Sequence, residues 1–257
     1  MLATSSMYPE PRLLMLGDTA VTVEFGAAIA PDIHARVLGF VCALEQAKRR
    51  GEFDGIVEWV PTFRSVTAYF DASVEDPLVE GDKLLALARR AQPRSQAGRR
   101  WRIPVCFEAG FAPDLESLAR AKSLTPQVLV ELMTASSFHV YMLGFVPGFP
   151  YLGGLPEACN APRLATPRRA VPARSQAVAG GMCAVYPWDS PGGWHLLGRT
   201  PVRLFDVANP DSPALLRAGD DVQWQAIDGN TYTQLDRLAE SGRLDRASLL
   251  VGEESTS

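Results

Sequence analysis

Three segments of this chain concentrate the residues able to do chemistry. RLATPRRAVPARSQAVAGG, residues 163–181, carries Arg163, Arg168, Arg169 and Arg174. Arg168 and Arg169 follow a Thr-Pro and precede a Val-Pro, so their backbone is restricted. A guanidinium held in place suits a carboxylate or phosphate, which it can grip with two parallel hydrogen bonds. YPWDSPGGWHLLGRTP, residues 186–201, sets Asp189, Trp194, His195 and Arg199 among Gly and Pro turns. LGFVPGFPYLGGLP, residues 143–156, threads Phe145, Phe149 and Tyr151 through a run that can form neither a long helix nor a clean strand.

Each segment also has a plainer reading. Aromatics in such a loop are ordinarily packed beneath it, with ligand contact as the alternative. An arginine cluster is by default a solvated face, a histidine beside a tryptophan is often just packed, and Asp189 before Ser-Pro-Gly-Gly can be a turn residue. Ser175 has no base beside it in sequence to make it a nucleophile. No P-loop, GxGxxG, HExxH or GxSxG appears. His34, His139 and His195 are too scattered to argue a metal from spacing, and the four cysteines, Cys42, Cys106, Cys159 and Cys183, form no CxxC pair. No metal site is expected.

The elements that must carry these segments can be read from periodicity. RLLML and VTVEF read as strands around Gly17 and Asp18. Residues 31–50 read as a helix, with Ile33, Val37, Phe40, Val41 and Leu44 at helical spacing behind Pro31. GIVEWV and SVTAYF give two more strands, and KLLALARRA a second helix. The order ββαββα predicts a small antiparallel sheet with helices on one face, over residues 1–92. AQPRSQAGRR is polar and aperiodic, which places a linker at 93–100. WRIPVCF then reads as a strand. PDLESLARA and TPQVLVELM read as helices, with Asp114 and Thr125 as caps and Pro126 in the first turn. HVYMLGF, QAVAGG, CAVYP, VRLFDV and DVQWQAI follow as short strands between Gly/Pro turns, a barrel or sandwich pattern. TYTQLDRLAESGRLDRASLL returns to helix, and GEESTS reads as a fraying end. The second domain is expected over residues 101–257.

At 257 residues and 47% apolar composition the chain has material for a sizeable core. Its formal net charge of −4 gives no electrostatic footprint for nucleic acid or an anionic membrane. Only Lys48, Lys83 and Lys122 interrupt an otherwise all-arginine set of 25 basic residues, which reads as compositional bias. The N-terminus lacks a signal-peptide pattern and no stretch reaches the roughly 18 apolar residues of a membrane span. Scattered cysteines fit reduced thiols. A cytoplasmic protein without nucleic-acid or membrane partners is expected.

In these three segments, and in LGDTAVTVEFG, GIVEWVPTFRSVTAYFD, PDLESLA and LLRAGDDVQW, the chain resembles the allophanate hydrolase subunit 1 family over roughly residues 13–240. That family includes the B subunit of bacterial ATP-dependent 5-oxoprolinase and the Kip-type sporulation-kinase inhibitor. It also corresponds to the C and D subdomains of the carboxyltransferase part of urea carboxylase. The resemblance implies an α+β fold: a small N-terminal ββαββα domain followed by a C-terminal cyclophilin-like β-barrel. It implies a related second subunit, of the allophanate hydrolase subunit 2 or C-type 5-oxoprolinase kind, a possible 5-oxoprolinase A subunit, and ATP with Mg²⁺ in the assembled complex.

The activity so implied is ATP-dependent opening of a small amide or lactam, with 5-oxoproline as the leading substrate. On that reading Arg168, Arg169 and Arg199 would clamp an anion, and amides near Gly180, Gly181, Gly192 and Gly193 would face a developing oxyanion. Asp189 or His195 would handle a proton, and Phe149, Tyr151 and Trp194 would line the substrate. Two other readings are a histidine-kinase inhibitor and half of a biotin-dependent urea-type carboxyltransferase. Where family members commonly carry VPAGS and AGGQTG, this chain reads VPARS and AGGMCA, and Met133 stands where a His is often found. If the replaced glycine sits at positive φ, Arg174 there costs about 1 kcal/mol.

Overall fold

The computed structural model describes residues 6–94 and 98–251. The chain divides into two compact units, Met1–Gln96 and Ala97–Ser257. Residues 95–97 of the expected linker and the GEESTS tail lie outside the described residues.

In the first unit, strands β1 (Met7–Leu16), β2 (Ala20–Gly26), β3 (Ile56–Pro61) and β4 (Ser65–Phe70) form an antiparallel sheet in the order β1-β2-β4-β3. Helices α1 (Pro31–Arg49) and α2 (Pro77–Arg90) complete the ββαββα order. Alternation decides the sheet's buried side: Val21, Val23 and Phe25 of β2 join Ile33, Val37, Phe40 and Leu44 of α1 in one core. The second helix starts earlier than the apolar run KLLALARRA suggests. Asp76 accepts a hydrogen bond from the Leu78 amide at 2.9 Å and Pro77 occupies the first turn, so a cap and a proline set the start and periodicity does not.

In the second unit, seven strands close into a barrel in the order β10-β7-β6-β13-β5-β12-β9. They are β5 (Arg100–Cys106), β6 (Ser137–Leu143), β7 (Pro150–Gly153), β9 (Ser175–Ala179), β10 (Met182–Val185), β12 (His195–Arg199) and β13 (Asp221–Ile227). Neighbours run antiparallel except β5 and β13, which are parallel. A two-stranded ribbon, β8 (Arg168–Val171) with β11 (Ser190–Gly192), stands apart from the barrel sheet. Inside the barrel lie Ile103, Val105, Phe138, Val178, Leu197, Val222 and Trp224. Helices α3 (Leu115–Ala121) and α4 (Pro126–Ala135) add Leu118, Leu129 and Met133 to that core. Met133, at the position of the family's frequent histidine, is a fully buried packing residue.

Three expectations are corrected. Residues 202–207 do not form a strand; only an isolated bridge, Phe205 to Ala214, holds them. The C-terminal helix α5 (Gly229–Glu240) ends before the expected run does, because Gly242 turns left-handed at φ 67°, and a separate 3-10 turn follows at Arg246–Leu249. Asp114 precedes α3 but makes no side-chain cap; its carboxylate is used elsewhere.

Candidate functional site

The run LGFVPGFPYLGGLP, residues 143–156, contains the turn that joins β6 to β7 as a hairpin. Gly148 at φ 79° brings the backbone against Phe205, where a Cβ would lie 2.6 Å from the Phe205 Cβ. The hairpin splits its aromatics. Phe149 is 2% exposed, whereas Phe145 is 60% exposed and sits at φ 69°, a conformation that a phenylalanine adopts only under constraint. Around Phe149 stand Phe145, Tyr151, Tyr186 and Trp194, with ring centroids at 5.4, 5.0, 5.1 and 6.1 Å, all edge-on.

These rings rest on the side of β9, β10 and β12 that faces away from the barrel interior. Val178 points inward, while Ala177 and Ala179 beside it join Ala184, Leu196 and Val171 under the aromatics. Alanine is small enough to let Phe149, Tyr151, Tyr186 and Trp194 lie close to the strands. The result is an aromatic shelf built on the barrel's outer face.

Arginines border the shelf. The Arg163 guanidinium lies 6.0 Å from the Trp194 ring centroid. Arg168 is tied down: its Nη2 donates to Asp114 Oδ1 at 2.5 Å and its Nη1 to the Trp194 carbonyl at 3.3 Å. The other Asp114 oxygen accepts the Leu196 amide at 2.7 Å. Asp114 thus fixes Arg168 and β12 together. Arg169 is exposed and makes no hydrogen bond or ion pair among the described residues. Burial pushes the Tyr186 hydroxyl above its ordinary pKa, while Arg163, the Trp194 backbone and Arg168 pull the other way. Gly192 lets that hydroxyl approach, since a Cβ there would lie 2.3 Å from it.

The remaining expected residues are placed as follows. Gly180 and Gly181, at φ 58° and 78°, form the two-residue turn between Ala179 and Met182, the geometry that needs positive φ twice. Their amides are already used, by the Ala161 carbonyl and by Asn160 Oδ1, each at 2.7 Å. They are therefore not free to face an oxyanion. Gly193 accepts the Leu164 amide at 2.7 Å through its carbonyl. His195 donates Nε2–H to the Pro162 carbonyl at 3.0 Å and pairs with Val178, near the hairpin tip. Asp189 accepts the Ala173 amide at 2.5 Å, beyond the opposite end of β9. Arg199 donates Nε–H to the Ala173 carbonyl at 2.9 Å. The structure gathers Phe149, Tyr151, Trp194 and Arg168, and it keeps Asp189 and His195 apart.

Two participants carry no local sequence signal: Tyr186, and Asp114 in its actual use. Asp114 precedes a helix and reads as a cap, and only the barrel's closure brings it to Arg168. A cleft of about 900 Å³ lies in the first unit, lined by Glu52, Asp54, Glu75, Asp76 and Glu80 with Lys83 and Arg90. It contains none of the residues above, and its acidic lining does not suit an anionic substrate. Among the described residues no helix is long and apolar enough to cross a membrane.

Known proteins are similar to this chain along most of its length. The family described as Carboxyltransferase domain, subdomain C and D, matches residues 11–216. The 5-oxoprolinase B subunit of Bacillus subtilis (strain 168) is 38% identical over 233 residues, covering 86% of this chain and 95% of that protein. The crystal structure of TTHA0988 superposes with a TM-score of 0.71 at 31% identity over 82% of this chain, which spans only 40% of that longer chain. The Kluyveromyces lactis urea amidolyase structure, at 19% identity and a TM-score of 0.76, shares the fold over 95% of this chain and 16% of its own. With the match running from the first strand of the small sheet through the whole arginine-bordered shelf, the chain belongs to the family of carboxyltransferase subdomains C and D.

Proposed function

We propose that this chain is the B-type member of an ATP-dependent 5-oxoprolinase-type complex, in the cytoplasm. It would work with a related C-type subunit and an A subunit to open a small lactam or amide, 5-oxoproline first. The observation that carries this reading is the 38% identity to a 5-oxoprolinase B subunit along nearly its whole length. The shelf supports it. Opening a lactam adds water across the C–N bond, leaving a carboxylate and an amine, and a lactam acid brings its own carboxylate for recognition. Arg169, uncommitted and next to the fixed Arg168, is the group best suited to take that carboxylate. The rings of Tyr151 and Trp194 would hold the apolar face of the five-membered ring, and the Tyr186 hydroxyl would orient a polar atom of the substrate.

ATP and its Mg²⁺ belong to the proposed complex. Among the described residues of this chain no group of three His, Cys, Asp or Glu stands ready to hold a metal ion, and the Gly180 and Gly181 amides are already bonded, so on this reading the partner subunits would hold the nucleotide. Asp189 and His195, each bonded to backbone at different ends of β9, are assigned to holding the shelf's supports. The test is co-expression with the A- and C-type subunits, following glutamate released from 5-oxoproline with and without ATP. Glutamate that requires both ATP and this chain is expected. A complex that assembles and releases none would overturn the reading.

A further inference from the structure

A second pocket, sharing no residue with the shelf, opens beside the C-terminal 3-10 turn. It holds about 400 Å³ and is lined by Arg99, Trp101, Ser212, Leu215 and Arg246, with the 208–211 loop closing one side. Arg246 also lines a neighbouring pocket of about 300 Å³. Two guanidiniums therefore border one cavity, and their countercharges are unequal.

Arg99 is answered by Asp220, which is 3% exposed. The Asp220 carboxylate accepts five donors: the Arg99 amide, its Nε at 3.2 Å and its Nη2 at 2.6 Å, the Trp101 indole N–H at 2.9 Å and the Arg217 amide at 2.9 Å. Nothing of that carboxylate is left for a second cation. Arg246 donates Nη1 to the Ser212 carbonyl at 3.1 Å and forms no ion pair among the described residues. The acids around it are engaged or turned to water. Asp206 accepts the Ala208 amide at 3.0 Å and the Asn209 side chain at 3.1 Å, and Asp245 accepts the Ala247 amide at 2.9 Å. Asp211 is exposed. Nε and Nη2 of Arg246 and Nη1 of Arg99 make no hydrogen bond among the described residues.

A partly buried guanidinium facing a cavity beside a second one is electrostatically unfavourable until an anion joins them. Burial pushes the Arg246 pKa below its ordinary value, Asp206 opposes this, and Arg99 pushes the same way as burial. We propose that the pocket between the 208–212 loop and the Arg246–Leu249 turn is a binding site for a small oxyanion of the phosphate or carboxylate type, held by Arg246 and the free edge of Arg99. The walls suit an anion: Trp101 and Leu215 exclude water from one side, and a planar guanidinium matches an oxyanion's paired oxygens. The site stands whether or not the chain serves a 5-oxoprolinase.

Inorganic phosphate, and succinate in a parallel series, would be titrated calorimetrically into the full chain with sodium chloride holding ionic strength constant. One saturable site is expected for the wild type, and the tighter of the two probes names the class. Arg246→Gln should weaken that binding at least about tenfold, Arg246→Lys should keep part of it, and Arg120→Ala, at an exposed arginine of α3, should leave it unchanged. Should Arg246→Gln fail to fold, arginine Nε–H resonances of the wild type decide, since the bound anion must shift those of Arg246 and Arg99. Equal binding by wild type and Arg246→Gln, shifts confined to other arginines, or no saturable binding of either probe would overturn the site.

Discussion

The inner and outer faces of β9 are built by different rules. Val178 looks into a barrel core of aliphatic side chains with Phe138 and Trp224, and shape alone specifies its packing. Ala177 and Ala179, its neighbours on the same strand, look out onto four aromatic rings, and that layer is fastened at its margins by charge. Arg168 is bound to Asp114, Asp189 to the Ala173 amide, and Arg174 to Asp236 and the Pro201 carbonyl. Apolar packing tolerates exchange of one hydrophobe for another, whereas these fastenings fix individual side chains in place. The inner face makes the barrel stable. The outer face holds polar groups in set positions beside an apolar floor, which is what a site for a small polar molecule needs.

The largest effect that could break this contrast comes from the rings. Phe138→Ala inside and Phe149→Ala outside should each cost about 3–5 kcal/mol in urea unfolding, since both side chains are fully packed. A cost under about 1 kcal/mol for Phe149→Ala alone would mean that the shelf is a loose surface, not a second packed layer.

Arg168→Met comes next. It leaves the Asp114 carboxylate, whose side chain is 12% exposed, without its cation. A loss of about 1–3 kcal/mol is expected. The same change should move Tyr186 ionisation further above its ordinary value, because Arg168 is one of the groups pulling it down. The sign for stability follows. With a folded pKa above the unfolded one, the unfolded chain releases the Tyr186 proton first, so this residue's contribution falls as pH rises past about 10. Urea-unfolding free energies that fall more between about pH 9 and pH 11 in Arg168→Met than in wild type would confirm the coupling, and equal falls would break it.

Much of this architecture is legible in the sequence, and the failures have physical causes. The ββαββα order and the barrel strands β5, β6, β9, β10 and β13 follow from period-two patterning and Gly/Pro punctuation. Residues 202–207 look like a strand because VRLFDV is apolar and β-branched, but only the isolated bridge from Phe205 to Ala214 pairs with them. The roles of Gly180 and Gly181 escape sequence reading for a related reason: Gly-Gly signals a turn with positive φ as strongly as it signals exposed amides. Whether an amide is free depends on Asn160 and Ala161, about twenty residues upstream. The Asp114–Arg168 pair spans 54 positions, and no local pattern announces it.

A smaller effect is expected at Arg174, the replaced glycine of VPARS. Its φ of 69° confirms that the position favours glycine, and its side chain is 12% exposed in the pair with Asp236. Arg174→Gly relieves about 1 kcal/mol of backbone strain and loses a charge-assisted hydrogen bond worth about 1.5–3 kcal/mol. A net loss of about 1 kcal/mol in urea unfolding is expected. A gain in stability would show that the Asp236 pair contributes little and that the outer layer is not fastened there.

The smallest stability effect belongs to the residue with the largest proposed part in binding. Arg169 is exposed and its side chain makes no hydrogen bond or ion pair among the described residues, so Arg169→Ala should change unfolding by no more than about 0.5 kcal/mol. If the outer face is a site, the same substitution should raise the KM of the assembled complex for 5-oxoproline about tenfold or more, through loss of one charge-assisted contact, while kcat moves less. Arg169→Lys should restore part of the affinity by keeping the charge without the planar fork. Arg168→Met gives the opposite pattern, because its first effect is on folding. On this reading two adjacent arginines of one short strand would divide the work: Arg168, bonded to Asp114, holds the layer together, and Arg169 would be left for the substrate. Equal KM for Arg169→Ala and wild type would assign both arginines to structure and move the search for the carboxylate partner to Arg163 over Trp194.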